Sequence, residues 1–382
     1  MVLFGVDRVA EFSHLFSGRV ALLTTPSGRT SDNRSTIEVL KECCDLQLLL
    51  APEHGVRGDK PAGALFQDEI DEESGLLVRS LYTKESKRLS QETLAKFDTL
   101  VYDIADVGCR YYTFISTLRY CIEDCAAAGK RLVVLDRPNP LGEWVEGGLL
   151  REETSSFVGC YPIPVCYGLS CGELAGMMNG ELKAGCDLHV VPCKNLTRKM
   201  LFCDWEHYWV MPSLGIPRYE TAVLYPGTCL IEGTNLSEGR GTADPFAIIG
   251  APFIRAEAFA KAFNELMCPG VVATPTYFTP NTSKHQGALC GGIHLHITDI
   301  YQLEPVKMGV KLLDLVRRMY PDDFKFLDPF REGGKPFISL LAGHRDFEDP
   351  NWDAEKILRR YQAESDTFRW RKAPYEIYPK EY

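Results

Sequence analysis

Residues 19–59, RVALLTTPSGRTSDNRSTIEVLKECCDLQLLLAPEHGVRGD, decide the fold. The apolar run 19–25 (RVALLTT) stops at Pro26-Ser27-Gly28, which predicts a short buried strand ending in a turn. Residues 35–42 (STIEVLKE) carry apolar side chains at helical spacing, and 46–51 (LQLLLA) reads as a second strand. Strand, helix, strand within so short a stretch is an α/β unit, and a polar loop, Pro52-Glu53-His54-Gly55-Val56-Arg57-Gly58-Asp59, closes it.

The same unit recurs outward. Residues 99–104 (TLVYDI) and 131–136 (RLVVLD) are strand candidates, separated by the helical pattern 117–128 (TLRYCIEDCAAA), which ends before Gly129-Lys130 as a helix terminus should. A further helix over 172–181 leads to the strand candidate 188–192. This alternation predicts a mostly parallel, doubly wound α/β sheet. After about Thr221 the texture changes. A glycine-rich polar stretch (225–241) precedes a helix (255–265), two strands (270–276 and 292–298), a helix (306–319) and an amphipathic segment (354–368). The expected organisation is an α/β domain over 1–222 and a smaller α+β domain over 223–382.

The bulk properties exclude several classes. A chain of 382 residues is too long for one compact core to be assumed, and a net charge of -10 argues against a broad basic surface for nucleic acid. The opening Met1-Val2-Leu3-Phe4-Gly5-Val6-Asp7-Arg8 meets charges early, and no run reaches about 18 uncharged apolar residues. Neither an export signal nor a membrane span is expected, which points to the cytoplasm. The 14 cysteines are dispersed, with no Cys-x-x-Cys knuckle, and read as buried small hydrophobes in a reducing compartment. His294 and His296 share one face of a strand candidate but lack further ligands, so no metal is expected.

In open parallel sheets ligands bind beyond the carboxyl ends of the strands. The four strand ends lead to Pro26-Ser27-Gly28, to Glu53-His54-Gly55-Val56-Arg57, to Asp103-Ile104-Ala105-Asp106 with Arg110-Tyr111-Tyr112 beyond it, and to Asp136-Arg137. Their rim would combine Glu53, Asp103, Asp106 and Asp136 with Arg57, Arg110 and Arg137, a set able to raise one carboxyl's pKa while cations hold an anionic group. Glu53 is the candidate acid. The aspartates read equally well as helix caps or loop braces, and His54 as a base or a satisfied loop residue. No Gly-Lys-Ser/Thr phosphate loop or Gly-x-Gly-x-x-Gly is present, so no nucleotide cofactor is expected. A second cluster, 225–242, supplies Glu232, Asn235, Glu238 and Arg240 for binding, or else forms an interdomain linker. Tyr167-Gly168-Leu169-Ser170-Cys171-Gly172 lacks the spacing of a nucleophile elbow, and Ser170 reads as a helix cap reaching toward Glu173.

The strings PEHGVRGD (52–59), DIADVGCRYYTFIST (103–117), VVLDRPNPLG (133–142), SFVGCYPIPVCYGLSCGELA (156–175), YPGTCLIEGTNLSEGRGT (225–242) and GGIHLHITD (291–299) together resemble NamZ-type (YbbC-like) exo-β-N-acetylmuramidases. The resemblance implies a Rossmann-like amino-terminal domain, a smaller carboxyl-terminal domain and a cleft between them. It also implies release of N-acetylmuramic acid from the non-reducing end of peptidoglycan fragments, as in cell-wall recycling. Glu53 falls on the family's Pro-Glu-His-Gly glutamate. His54, Asp103 and Asp106 join it as candidate catalytic residues. Arg57, Arg110, Tyr111, Asp136, Arg137, Glu232, Asn235, Glu238 and Arg240 occupy further polar motif positions, as candidate substrate contacts.

Tyr167 is a departure, since relatives often carry histidine there; it is a candidate substrate contact able to alter sugar preference. Without an export signal, the substrate would be an internalised disaccharide. The expected mechanism has Glu53, kept partly protonated by its pocket, donate to the glycosidic oxygen, with Asp103, Asp106 or Glu232 as partner carboxylate. One of Arg57, Arg110, Arg137 and Arg240 would hold the lactyl carboxylate, and Tyr111 and Tyr112 would shape the sugar pocket. Two rival readings are a non-catalytic muropeptide sensor using the same cleft and a nucleotide-dependent α/β enzyme.

Overall fold

A computed structural model describes residues 1–59, 67–81, 83 and 86–381. The amino-terminal half runs β1 (Arg19–Thr24), α1 (Thr36–Cys43), β2 (Asp45–Ala51), β3 (Glu69–Ile70), β4 (Leu77–Ser80), α2 (Gln91–Leu94), β5 (Thr99–Asp103), α3 (Phe114–Ala128), β6 (Arg131–Leu135), β7 (Val145–Glu146), β8 (Cys166–Tyr167), α4 (Cys171–Glu181) and β9 (Asp187–Val191). The remainder runs α5 (Tyr219–Thr228), β10 (Ile248–Ala251), α6 (Ala256–Glu265), β11 (Val271–Phe278), β12 (Cys290–Ile297), α7 (Pro305–Met319), α8 (Phe337–Ala342) and α9 (Ala354–Lys372).

Among the described residues the first group builds a seven-stranded sheet in the order β3-β4-β2-β1-β5-β6-β9, parallel except for β3 against β4. Its central strands are apolar throughout because helices cover both faces. Ala21, Leu23, Leu48, Leu50, Leu100 and Tyr102 point into one core with residues of α3 and α4, while Val20, Leu22, Leu49, Ala51 and Val101 pack into another with Ile37 and Leu40 of α1. The two-residue side-chain period of a strand produces this division. Ser35 and Ser170 cap α1 and α4 through reciprocal bonds with Glu38 and Glu173, and Gly129 closes α3 at φ 62°.

A smaller antiparallel sheet, β10-β12-β11, carries α6 on one face through Phe259, Ala260 and Phe263. The fold is therefore the α/β sheet plus a smaller α+β unit that the sequence predicts. One stretch differs. Residues 225–241, expected as a glycine-rich loop, begin inside α5 and continue as a 3-10 turn, Cys229–Gly233, with Tyr225, Leu230 and Ile231 buried. Its glycine serves close packing: a Cβ at Gly227 would lie 1.9 Å from the Pro305 carbonyl oxygen, so α5 and α7 cross here without side chains between them.

The chain end returns to the first sheet. Glu364 of α9 accepts from the Leu149 N–H at 2.7 Å, and the Tyr378 hydroxyl donates to Asp136 at 2.5 Å at the end of β6. The cysteines are all free thiols, buried except at Cys43, Cys44 and Cys203. Among the described residues, no helix is long and apolar enough to cross a membrane.

Candidate active site

The carboxyl ends of β1 and β5 lie side by side, with Thr24 in register with Asp103 and its hydroxyl donating to the Asp103 carbonyl at 2.9 Å. From β1 the chain runs to β2 on one side, while β5 lies on the other, which opens a crevice at the point where the winding reverses. Ser27, Arg29 and Thr30 line it from the β1 loop, Ala105 and Asp106 from the β5 loop, and Arg137 and Pro138 from the β6 loop. Its outer wall is aromatic, from Phe202, Trp205 and Trp209.

Glu53 stands at the next strand end. His54 and Gly55 both adopt left-handed backbone (φ 77° each), and the Gly55 N–H bonds the Pro52 carbonyl at 3.1 Å, turning the chain sharply after β2. A histidine in that region is uncommon and costs energy, which a tight functional turn accounts for. The half-buried Glu53 carboxyl accepts from the Thr113 hydroxyl at 2.7 Å, at the amino-terminal cap of α3. The His54 ring meets the Phe114 ring edge-on at 6.4 Å.

Asp106 is buried. Its Oδ1 accepts from the Gly108 N–H at 2.6 Å and the Tyr167 hydroxyl at 2.5 Å, while Oδ2, also buried, accepts no hydrogen bond from the described residues. Burial pushes its carboxyl up to about 7, against the opposing pull of the Tyr167 hydroxyl and nearby backbone N–H groups. A buried acceptor without a donor is costly, and Asp106 is one of the residues that line the crevice. Tyr112 links the two acids: burial raises its phenol pKa most, Asp106 and Glu53 raise it further, and Arg240 lowers it.

The other predicted residues are committed elsewhere. Asp103 is fully buried in a two-pronged pair with Arg137, closest contact 2.5 Å, and also accepts from Thr36. Arg137 additionally donates to the Arg29 carbonyl at 2.9 Å, so this pair fixes the β1 loop. Asp136 accepts from the Arg137 and Gly172 N–H groups and from Ser170 and Tyr378, capping α4, and burial pushes it up to about 6. Arg57 grips Asp71 with two 2.8 Å bonds that hold that carboxyl down at about 2. Arg110, fully buried, donates to the carbonyls of Gly148, Ile163, Leu341 and Ala342 at 2.7–2.9 Å. It clamps three chain segments and does not reach the crevice. Tyr111 donates to the Pro226 carbonyl.

The second cluster is a charge-balanced quartet. Arg240 pairs with Glu232 at 2.8 Å and lies 3.6 Å from Glu238, which Lys284 meets at 2.9 Å. Asn235 braces the Asp323–Lys325 backbone and takes no part in the quartet. The histidine pair 294 and 296 is engaged by Asp244 and Thr274.

The structure thus brings Glu53, Asp106, Tyr112, Tyr167 and Arg240 toward one region and assigns Asp103, Asp136, Arg57, Arg110, Arg137, Tyr111 and Asn235 to bracing contacts. Thr113, Lys284 and the aromatic wall were not legible from the sequence. The 202–209 run FCDWEHYW, with four large aromatics, was the available signal for that wall. Arg29 follows directly on the turn residues 26–28 and belongs to no motif.

Comparison with known proteins places these features in a family. A model of the exo-beta-N-acetylmuramidase NamZ amino-terminal domain matches residues 20–220, and its carboxyl-terminal counterpart matches 223–378. The peptidoglycan beta-N-acetylmuramidase NamZ of Bacillus subtilis (strain 168) is 42% identical over 366 residues, covering 94% of this chain and 87% of that protein. Two crystal structures of DUF1343 family proteins from Bacteroides fragilis are similar throughout. One has a TM-score of 0.88 at 33% identity, with 99% of each chain covered; the other has 0.77 at 28% identity, with 100% of each covered.

Proposed function

From the premise that the chain belongs to the NamZ exo-β-N-acetylmuramidase family, we propose that it is a glycosidase releasing N-acetylmuramic acid from the non-reducing end of peptidoglycan fragments, with Glu53 as general acid. The observation that carries the assignment is a half-buried Glu53 at the end of β2, oriented by Thr113, together with a buried Asp106 beyond the end of β5 whose Oδ2 accepts no hydrogen bond from the described residues.

Protonated Glu53 donates to the glycosidic oxygen as the bond to the anomeric carbon breaks. Water supplies the new anomeric hydroxyl and the proton that restores the acid, so the net reaction consumes one water. Asp103 is already neutralised by Arg137 and Glu232 by Arg240, which leaves Asp106 as the partner carboxylate. Its free oxygen accepts the acetamido N–H of the sugar and holds the ring against the aromatic wall. Arg137, Asp136 and Arg110 position the loops that carry these groups and are not catalytic residues.

Incubation with a disaccharide terminated by N-acetylmuramic acid tests the proposal. The wild type should release the free sugar, and Glu53→Gln should turn over about 10²–10⁴-fold more slowly with an unchanged circular dichroism spectrum. Near-normal turnover by Glu53→Gln would reject Glu53 as the acid. Tight binding without product from the wild type would instead identify a sensor.

A further inference from the structure

We propose that Arg29 is the specificity anchor that holds the lactyl carboxylate of the muramic acid ring in the strand-end crevice. The inference rests on the muramidase reading above and adds to it the residue that distinguishes this sugar from uncharged N-acetylglucosamine.

The argument begins with the arginines. Arg57, Arg137 and Arg240 face carboxylates at 2.8, 2.5 and 2.8 Å, and Arg110 is buried among four carbonyls. A guanidinium already matched to a carboxylate has little left for a second one. Arg29, half-buried on the crevice wall, uses only Nη1, which donates to the Asn33 carbonyl at 2.9 Å and to its side-chain oxygen at 3.3 Å. Both partners are neutral. The Nε and Nη2 edge, the geometry that grips a carboxylate in two places, bonds none of the described residues.

Arg29 is also held in place from behind. Arg137, pinned by Asp103, donates to the Arg29 carbonyl at 2.9 Å, and the neighbouring Thr30 N–H bonds the Arg34 carbonyl at 2.9 Å. The second observation is Asp106. It lines the same crevice and its buried Oδ2 accepts no hydrogen bond from the described residues, so the cavity wall carries an arginine with no carboxylate bonded to it and a carboxyl with an unused oxygen. N-acetylmuramic acid carries a carboxylate on its C3 lactyl group and an acetamido N–H on the adjacent C2. Arg29 and Asp106 supply the complementary pair, and the aromatic wall covers the apolar face of the ring.

The test compares two chromogenic β-muramides, one with the free lactyl carboxylate and one with that group converted to its primary amide. For wild type, Arg29→Ala and Arg29→Lys, kcat/KM is measured on both, with the amide scored as a competitive inhibitor wherever its turnover is too slow. Arg29→Ala should lose about 10- to 100-fold on the carboxylate substrate and less than about 3-fold on the amide. Arg29→Lys should recover part of the loss on the carboxylate alone. Equal losses on both substrates, or no loss on either, overturn the assignment. Failure of the wild type to cleave the carboxylate muramide would overturn the muramidase reading, and this inference with it; the wild-type control separates that result from the others.

Discussion

Asp106→Asn should make the protein's stability less dependent on pH. Burial lifts the Asp106 carboxyl to about 7 in the folded chain, whereas an unfolded aspartate titrates near ~3.9. The native state therefore binds this proton more tightly than the unfolded state. The resulting stability is fully present below about pH 4 and is lost as pH rises through about 7. Between pH 5 and 8.5 the unequal proton binding amounts to about two pH units, which at ~1.36 kcal/mol each is roughly 2–3 kcal/mol. Asparagine retains an oxygen for the Gly108 N–H and the Tyr167 hydroxyl but does not ionise. Its amide replaces Oδ2 with a buried donor, which costs ~1–3 kcal/mol at every pH, so the pH-dependent difference is the diagnostic quantity. Urea titrations of both proteins at pH 5 and 8.5, at one ionic strength, give that difference directly. The other raised carboxyl at this rim, Asp136, is common to both proteins and cancels. If the two stabilities fall in parallel between these pH values, Asp106 does not carry a raised pKa and the reasoning fails.

Tyr167→Phe removes the hydroxyl that pulls the Asp106 carboxyl down, so the rise of kcat/KM with pH that reports Asp106 ionisation should shift upward from about 7; an unmoved profile refutes the coupling. Arg110→Met strands four buried carbonyls and should destabilise by about 3 kcal/mol or more while leaving KM of the folded fraction unchanged, as thermal melts and kinetics together would show. Gly227→Ala should force α5 and α7 apart, because its Cβ meets the Pro305 oxygen at 1.9 Å; a melting temperature within about 1 °C of wild type would contradict the close crossing.

The first sheet was legible because its central strands β1, β5 and β6 are buried on both faces, so that each reads as an apolar run between turn residues. β1, β2, β5, β6 and β9 all lie within one or two residues of the predicted runs. The short strands β3 and β4, at one side of the sheet, bury little and carry no such pattern. α5 was missed for a different reason. Pro226 and Gly227 normally signal a loop, but here the proline sits near the helix end and the glycine is the contact surface for α7. Tertiary packing outweighed local propensity at that point.

The candidate site was legible as a list of residue types at strand ends, and the pairing of those residues was not. Nothing local in the sequence says that Arg137 reaches back to Asp103 or that Arg57 reaches forward to Asp71. Once those pairs are formed, most of the rim's charge is internally neutralised, and the chemically available groups are the few left over. Tyr167 shows what this means for a single polar side chain. Its hydroxyl is spent on Asp106 Oδ1, and burial keeps its own pKa well above the ordinary range, so it donates a fixed, uncharged hydrogen bond. A histidine there would bring a second titrating group against the same carboxyl. The tyrosine therefore acts on Asp106, by setting how readily that carboxyl ionises.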